Sequence, residues 1–403
     1  MEIDFLDTLK MPHPSDDSHT GRTVGLYVHV PFCERKCEYC DFYSIESRVL
    51  LDRFVESVRR ELTEGAIRCA GCSVDTVYFG GGTPSLLSAG QVDSMLDVIR
   101  AGYRFDDEAE VTLEVNPGTV DLPALEALRR VGINRLSIGV QSFDDGELRF
   151  LGRVHSAADA RACIVAARNA GFDNLSLDCI YSLPGQTPEK WRRTLEETVG
   201  FAPEHLSAYS LIVEEDTPLF RSVQEGRVVP NSDGVEAQLY ELTMEFLEAH
   251  GYEHYEVSNY ARPGFRSRHN SRYWHHENYL GFGPAAHSFW LRSRTTPAQR
   301  WSNGANVAAY CDLLFRGESP ISITETLNER DLINERIFLG LRSDGLDLDM
   351  LHEELGYALS GQQEDTVRGL VQEGHAVLDG RRLRLTPRGY VMSDEICARL
   401  LLP

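Results

Sequence analysis

One stretch organises this chain: Tyr27-Val-His-Val-Pro-Phe-Cys33-Glu-Arg-Lys-Cys37-Glu-Tyr39-Cys40-Asp-Phe42. A short apolar run, Val24 to Val30, predicts a strand that leads into a loop with three cysteines at C-x3-C-x2-C spacing. Three thiolates within eight residues cannot all form disulfides with one another, but they can converge on one metal centre. Thiolate is the soft ligand of iron–sulfur clusters. A [4Fe-4S] cluster held by three cysteines keeps one iron open for a small chelating ligand.

The main alternative for this loop is a zinc site or a buried cysteine cluster. Zinc usually completes a tetrahedron with a fourth Cys or His nearby, and the next cysteine, Cys69, is far along the chain. Cys69-x-x-Cys72 follows the first predicted helix, where we expect a turn on the solvent side, and a zinc or redox role for that pair stays open. Cys163 and Cys179 are expected to be small core residues.

The cysteine loop resembles that of the radical S-adenosylmethionine (SAM) superfamily. The resemblance rests on C-x3-C-x2-C directly after a first strand, with the aromatic Tyr39 just before the last cysteine. It implies that Cys33, Cys37 and Cys40 hold a [4Fe-4S] cluster and that the amino and carboxylate groups of SAM chelate the open iron. In that family the reduced cluster can cleave SAM to a radical, which is chemistry of the cofactor that the protein directs.

Composition narrows the classes of partner. The chain has 403 residues, 42% of them hydrophobic, which is enough for one large domain and a smaller one. A formal charge of −22 argues against a nucleic-acid-binding surface, because phosphate contacts need basic residues. We find no signal peptide and no membrane span in the sequence. Nine cysteines, three of them clustered, suit a reducing cytoplasm.

Strands and helices alternate after a polar segment, residues 1–22, that we expect to be a mobile leader. Six strand-then-helix units are predicted, with strands at Val24–Val30, Val74–Phe79, Val111–Val115, Arg135–Val140, Asn174–Ile180 and His205–Val213. This order predicts parallel strands joined by right-handed crossovers, an α/β fold that we interpret as a partial (β/α)6 TIM-like barrel. Functional side chains of such barrels lie at the carboxyl ends of the strands. The predicted core domain spans residues 23–290.

The regular alternation of predicted strands and helices ends after the sixth unit. Residues 291–326 are predicted to be a connector with one helix, and residues 327–403 a second domain. Three helices followed by two short strands about Asp379-Gly380 resemble a winged helix, as in the C-terminal domain of HemN proteins. This unit has nine basic and 14 acidic residues. A lid or docking surface is therefore favoured over DNA recognition.

Several polar and glycine positions match the family's SAM-binding positions. Gly80-Gly81-Gly82-Thr83 follows the second strand, where residues without side chains allow a ligand to approach the backbone. An acid can bond ribose hydroxyls or an amino group, and an arginine can clamp a carboxylate. The positions that the resemblance implies for SAM are Tyr27, Tyr39, Gly81, Gly82, Thr83, Glu114, Gln141, Arg153 and Asp178. The alternative for Glu114, Gln141, Arg153 and Asp178 is that each is an ordinary polar residue at a strand end that caps a turn.

Two features separate the candidate relatives. Coproporphyrinogen III dehydrogenases share Tyr-x-His-x-Pro-Phe-Cys but carry a further cysteine where this chain has Phe42. His269-Asn270-x-x-Tyr273-Trp274 resembles the motif of HemW-type haem chaperones. Aromatic rings can pack on a porphyrin while an imidazole reaches its iron. A purely structural His269 is the alternative, and His275, His276 and His287 are other candidate ligands.

The resemblance favours a haem chaperone with a [4Fe-4S] cluster and exchangeable SAM, which passes haem to an acceptor protein. The rival is a radical SAM enzyme that acts on a tetrapyrrole, coproporphyrinogen III dehydrogenase above all. A transcription factor that uses the winged helix is a weaker third, because that unit is acidic. We expect a cytoplasmic protein, and the sequence leaves its oligomeric state open.

Overall fold

Twelve strands share one open sheet in the computed structural model, which describes residues 22–291 and 297–402. The strands of this sheet are β1 (Thr23–Val30), β2 (Ser73–Gly81), β3 (Arg104–Val115), β4 (Arg135–Gln141), β5 (Leu175–Tyr181), β6 (His205–Ser210), β7 (Glu253–Glu256), β8 (Asn259–Ala261), β9 (Tyr279–Phe282), β10 (His287–Trp290), β11 (Ala298–Asn303) and β12 (Ile321–Leu327). The spatial order is β12-β11-β10-β9-β1-β2-β3-β4-β5-β6-β8-β7.

Ten α-helices belong to the described part of this unit, and those between β1 and β6 alternate with the strands. They are α1 (Leu51–Gly65), α2 (Ala89–Gly102), α3 (Leu122–Val131), α4 (Asp145–Phe150), α5 (Ala157–Asn169), α6 (Pro188–Gly200), α7 (Pro218–Gln224), α8 (Asp233–Ala249), α9 (Arg268–Trp274) and α10 (Val307–Phe315). Side-chain caps set several starts: the Ser88 and Ser156 hydroxyls accept the first free N–H groups of α2 and α5 in capping boxes.

Strands β1 to β6 are parallel and consecutive in space, so the six predicted strand–helix units are confirmed. The face toward the helices is apolar: Leu26, Val28 and Leu113 are fully buried in the main core. The opposite, concave face carries Tyr27, Glu114 and Asp178 at alternating positions. Polar chemistry is therefore concentrated inside the curved sheet.

The sheet extends further than the sequence predicted. On one side β9 joins β1 in parallel, and β10, β11 and β12 continue antiparallel. On the other side β8 and β7 add an antiparallel edge to β6. The predicted connector, 291–326, thus contributes two strands as well as its one helix. The centre of β12 is exposed on both faces, so this strand is held by its pairing with β11 rather than by a buried face of its own.

The second unit contains α11 (Glu329–Leu341), β13 (Leu346–Asp347), α12 (Leu348–Leu355), α13 (Gly361–Gln372), β14 (Ala376–Asp379), β15 (Arg382–Leu385), α14 (Pro387–Val391) and α15 (Ser393–Leu400). Its three-stranded antiparallel sheet has the order β13-β15-β14. The predicted winged-helix-like order is confirmed, with β13 as an added strand. The domain boundaries proposed from the sequence stay predictions, and the expected leader lies outside the described residues apart from Arg22.

Cys69 lies in the turn expected after the first helix, and Cys72 follows it. Ile67, Ala70 and Gly71 of this turn are exposed, but both cysteine side chains are buried, at 4% and 2% exposure. Burial raises the pKa of the Cys69 thiol to about 12, which disfavours the reactive thiolate. Cys163 and Cys179 are core residues as predicted. No helix within the described ranges is long and apolar enough to cross a membrane.

Candidate cluster and SAM site

The cysteine loop is fastened to the end of β1. The Cys33 amide donates to the Ile45 carbonyl at 2.9 Å, and the Ile45 amide donates to the Pro31 carbonyl at 2.8 Å. The three thiols are free of disulfides; Cys33 is buried, whereas Cys37 and Cys40 are partly exposed. Backbone bonds at the base of the loop thus hold the thiols at the open end of the sheet.

A chain of hydrogen bonds behind the loop joins two of the cysteines. Thr83 Oγ1 donates to Cys33 Sγ at 3.6 Å and accepts from Asn116 Nδ2 at 2.9 Å. Arg153 Nη2 donates to Asn116 Oδ1 at 2.7 Å, and Arg153 Nη1 donates to Cys37 Sγ at 3.5 Å. The ends of β2 and β3 and the loop after α4 therefore meet at the cysteine loop.

The three cysteines are not arranged as ligands of a single ion. Among residues 22–291 and 297–402, no three His, Cys, Asp or Glu side chains converge as a one-ion site requires. In an iron–sulfur cluster each cysteine binds a different iron, so its thiols stand farther apart. Burial raises the pKa of Cys40 to about 11, and the neighbouring Cys37 and Cys33 raise it as well. Bound iron would stabilise these crowded thiolates.

A cleft of about 270 Å³, open solvent included, adjoins the loop; its lining includes Cys37, Thr83, Asn116, Gly152 and Arg153. Glu34, Arg35 and Thr119 also line it, so its polar groups are a carboxylate, an amide, two hydroxyls and two guanidinium groups. Such a set can bind the amino and carboxylate groups of an amino-acid ligand.

Contacts within the chain explain why residues 80–82 are glycines. A Cβ on Gly82 would lie 2.7 Å from the Phe32 carbonyl oxygen, and one on Gly80 would lie 2.9 Å from the Tyr27 ring. Gly81 has φ +109°, a conformation that favours glycine. Close packing against β1 and the start of the cysteine loop therefore explains these glycines without a ligand, and their SAM role stays a prediction.

Two predicted acids lie on the concave face. Glu114 accepts from Tyr78 Oη at 2.9 Å and from the Gly81 amide at 3.2 Å, and burial raises its pKa to about 7. Asp178 accepts from Ser137 Oγ at 3.0 Å and from Ser176 Oγ at 3.1 Å, and burial raises its pKa. A cationic ligand beside them would favour their charged forms.

Three further predicted residues surround this face. Gln141 ends β4 with φ +64°, an uncommon conformation for a side-chain-bearing residue, and its amide lies near Gly139 and Arg153. Tyr39 packs near Leu151 and Ile180. The ring of Tyr27 is stacked on that of Tyr78, with centroids 6.1 Å apart.

His269 lies deep in the same concave face rather than at its mouth. Its ring is 1% exposed. Nδ1 lies 2.9 Å from Thr76 Oγ1, and Nε2 lies 2.9 Å from Tyr273 Oη. Burial lowers its pKa to about 3. Because both ring nitrogens are hydrogen-bonded, the ring has no free lone pair for a metal in this arrangement.

The other candidate haem-binding residues differ in solvent exposure and in their ion pairs. Asn270 and Trp274 are partly exposed beside His269 on α9. His275 is paired with Asp344 at 3.5 Å, and His276 is paired with Glu335 at 2.8 Å. His287 is exposed at the start of β10.

Sequence reasoning missed the residues that organise the site. Asn116, Tyr78 and Ser137 position the predicted ligand groups, yet none belongs to the motifs quoted above. Asn116-Pro117 at the end of a strand was the available signal, because a polar residue there points into the mouth of a barrel.

Comparison with known proteins agrees with this geometry. The Radical SAM superfamily model matches residues 27–198, and the HemN C-terminal domain model matches residues 327–392. In structure, the chain is similar to coproporphyrinogen III oxidase (HemN) from Escherichia coli, with a TM-score of 0.81, 24% identity, and coverage of 99% of this chain and 93% of that chain. At that identity the likeness shows the fold.

Sequence relatives are closer. The chain is 35% identical to the Heme chaperone HemW of Bacillus subtilis, over 94% of this chain and 99% of the relative. It is also 35% identical to the Heme chaperone HemW of Mycobacterium tuberculosis, over 94% of this chain and 95% of the relative. The chain therefore belongs to the radical SAM superfamily, and within it to the HemW family.

Proposed function

We propose that this protein is a haem chaperone that binds haem and passes it to an acceptor protein, in the cytoplasm. The observation that carries the proposal is the resemblance to proteins named heme chaperones over nearly the whole of both chains. Phe42 supports it: this residue stands where the dehydrogenases have a fourth cysteine, and its side chain is 66% exposed beside the cluster loop. An exposed aromatic ring suits an apolar cargo.

The chaperone carries a [4Fe-4S] cluster on Cys33, Cys37 and Cys40, and an exchangeable SAM. The cleft lined by Cys37 and Arg153 supports this assignment, as do the carboxylates of Glu114 and Asp178 on the concave face. When bound, these groups supply one-electron chemistry. Thr83 and Arg153 hold the cysteine sulfurs at the cleft. Glu114 and Asp178 would offer carboxylates to SAM from the concave face of the sheet, outside the lining of that cleft.

SAM binding has a direct test. Glu114→Gln and Asp178→Asn remove one charge each but leave the iron ligands in place. Each should weaken SAM binding by about 10- to 100-fold, the cost of a charged hydrogen bond, at unchanged iron content. The matched control is Glu126→Gln on the exposed side of α3. SAM affinity equal to wild type in both variants would show that the ligand lies elsewhere.

The rival function is coproporphyrinogen III dehydrogenase, the activity of enzymes that share Tyr-x-His-x-Pro-Phe-Cys with this chain. One anaerobically reconstituted sample separates the two in a pair of assays. Haem titration should show about one haem per chain with a histidine-like Soret band, and coproporphyrinogen III should not be consumed with SAM and a reductant. Robust decarboxylation together with absent haem binding would show that the protein is a coproporphyrinogen III dehydrogenase and not a haem chaperone.

A further inference from the structure

His287 lies on the same face of the sheet as the proposed SAM site. β9 is parallel to β1 with Gly281 beside Tyr27, and Phe289 of β10 is paired with Tyr279 of β9. Since side chains alternate along a strand, His287, Phe289 and Tyr279 point to the concave side that also holds Tyr27. The nearby His287 contributes to a lowered pKa of His29, after the larger effect of burial. His287 therefore continues the concave face beyond the barrel strands.

His287 differs from the other histidines on this face because its ring nitrogens are not hydrogen-bonded to the described part of the chain. His269 has both ring nitrogens hydrogen-bonded. His29 Nε2 lies 2.8 Å from the Tyr43 carbonyl oxygen. In the part of the chain that the structure describes, no hydrogen bond or ion pair involves the ring of His287, which is exposed. Burial and the nearby Arg300 lower its pKa, so the ring is neutral near pH 7 and can donate a lone pair to a metal.

The surroundings of His287 can accommodate a flat apolar ligand. His287 is paired with Ser302 across the β10–β11 ladder, and Ser302 is paired with Ile323 on β12. Ile323 is 65% exposed, although it is a large apolar residue. Ser302 itself is small and buried, at 6% exposure, so His287 and Ile323 present a free imidazole and an exposed apolar group on either side of it.

We propose that His287 is the protein ligand to haem iron, with the porphyrin lying over the row His287–Ser302–Ile323. This inference rests on the proposed haem-carrying function and assigns the iron ligand within it. It gives His269 a different role: to hold Thr76 and Tyr273 together beneath the site.

The experiment compares His287→Ala with wild type and with His352→Ala, an exposed histidine on α12 in the second unit. All are reconstituted with iron and sulfide, checked for cluster content, and titrated with haem. His287→Ala should bind haem more than about tenfold more weakly, because even loss of a group that only orients a metal ligand costs about 10- to 100-fold. Its histidine-like spectrum should be lost, and added imidazole should restore it. The control should match wild type.

The outcomes separate the two proposals. Wild-type protein that binds no haem overturns the proposed function and this inference with it. Wild type that binds haem, with His287→Ala showing the same affinity and spectrum, overturns only the assignment of His287. If His287→Ala keeps its cluster, loses haem and does not respond to imidazole, the residue acts in some other way and the ligand assignment is wrong.

Discussion

Arg153 Nη2 donates a hydrogen bond of 2.7 Å to Asn116 Oδ1, although 37 residues separate the two in sequence. This contact closes a path from Cys33 through Thr83, Asn116 and Arg153 to Cys37. The path places the guanidinium at the cleft beside the cysteine loop. Asn116 is therefore a positioning residue for the proposed carboxylate clamp.

Replacement of Asn116 tests that role. Asn116→Ala removes the acceptor for Arg153 and the donor to Thr83, so SAM affinity should fall by about tenfold, the cost of one or two hydrogen bonds. Asn116→Asp keeps the acceptor for Arg153 and should recover most of the affinity. Calorimetric titration with SAM gives both values, and equal loss in the two variants would show that Arg153 is not positioned through this contact.

If Cys33, Cys37 and Cys40 bind the cluster, substitution of a cysteine in this loop should remove iron, and substitution of a cysteine elsewhere should not. Cys40→Ala should abolish the charge-transfer absorption of the reconstituted protein and most of its iron. Cys163→Ala, at a buried site on α5, should keep both, since its thiol is part of the core. Iron and sulfide analysis measures the effect. Retention of about four irons per chain in a Cys33, Cys37 and Cys40 triple variant would refute the assignment.

His269 should matter for stability. Its replacement by Ala removes two buried hydrogen bonds and leaves a cavity, which should lower the free energy of unfolding by about 2–4 kcal/mol. Denaturant unfolding measures this cost, with His352→Ala as the surface control. A variant as stable as wild type, but with weakened haem binding, would restore His269 as a ligand candidate.

Glu61 predicts a pH dependence of stability. This side chain of α1 accepts from Tyr310 Oη at 2.6 Å, the Gly283 amide at 2.8 Å and Asn303 Nδ2 at 2.7 Å. Burial raises its pKa from 4.5 to about 7. Between those values the folded protein holds a proton that the unfolded chain has lost. The contribution to stability is thus largest below pH 4.5 and declines as pH rises to about 7.

Glu61→Gln should therefore reduce the slope of unfolding free energy against pH. The reduction approaches about 1.4 kcal/mol per pH unit, the value for one proton, between pH 5 and 7. Glu114 and Glu256, whose pKa values burial also raises to about 7, leave a residual slope in the variant. Glu56→Gln, whose side chain is 40% exposed on α1, is the matched control. Identical slopes in wild type and Glu61→Gln would contradict the raised pKa.

Local sequence patterns were sufficient for the parallel core. Buried strands such as Leu26 to Val30 alternate with amphipathic helices, and both periods are visible in the chain. The cysteine motif and the strand-end acids were also visible, because each lies next to a strand that could be predicted.

Contacts between segments that lie far apart in the chain could not be predicted from the sequence. β11 and β12 are held by their ladder with β10 rather than by their own pattern, so the sequence favoured a connector. The bonding of His269 depends on Thr76, which lies 193 residues earlier. The glycine run suggested a ligand, whereas packing against Phe32 and Tyr27 already requires it. Such reasons appear only when the strands are assembled.

The central claim is that haem is a cargo, and its release tests this most directly. Protein loaded with cluster, SAM and one haem is mixed with an excess of haem-free globin, and the Soret band of the globin is followed with time. We predict that nearly all the haem moves to the globin while the iron–sulfur absorption stays unchanged. Haem that stays on the protein against this excess would contradict the account, because it would then be a resident cofactor.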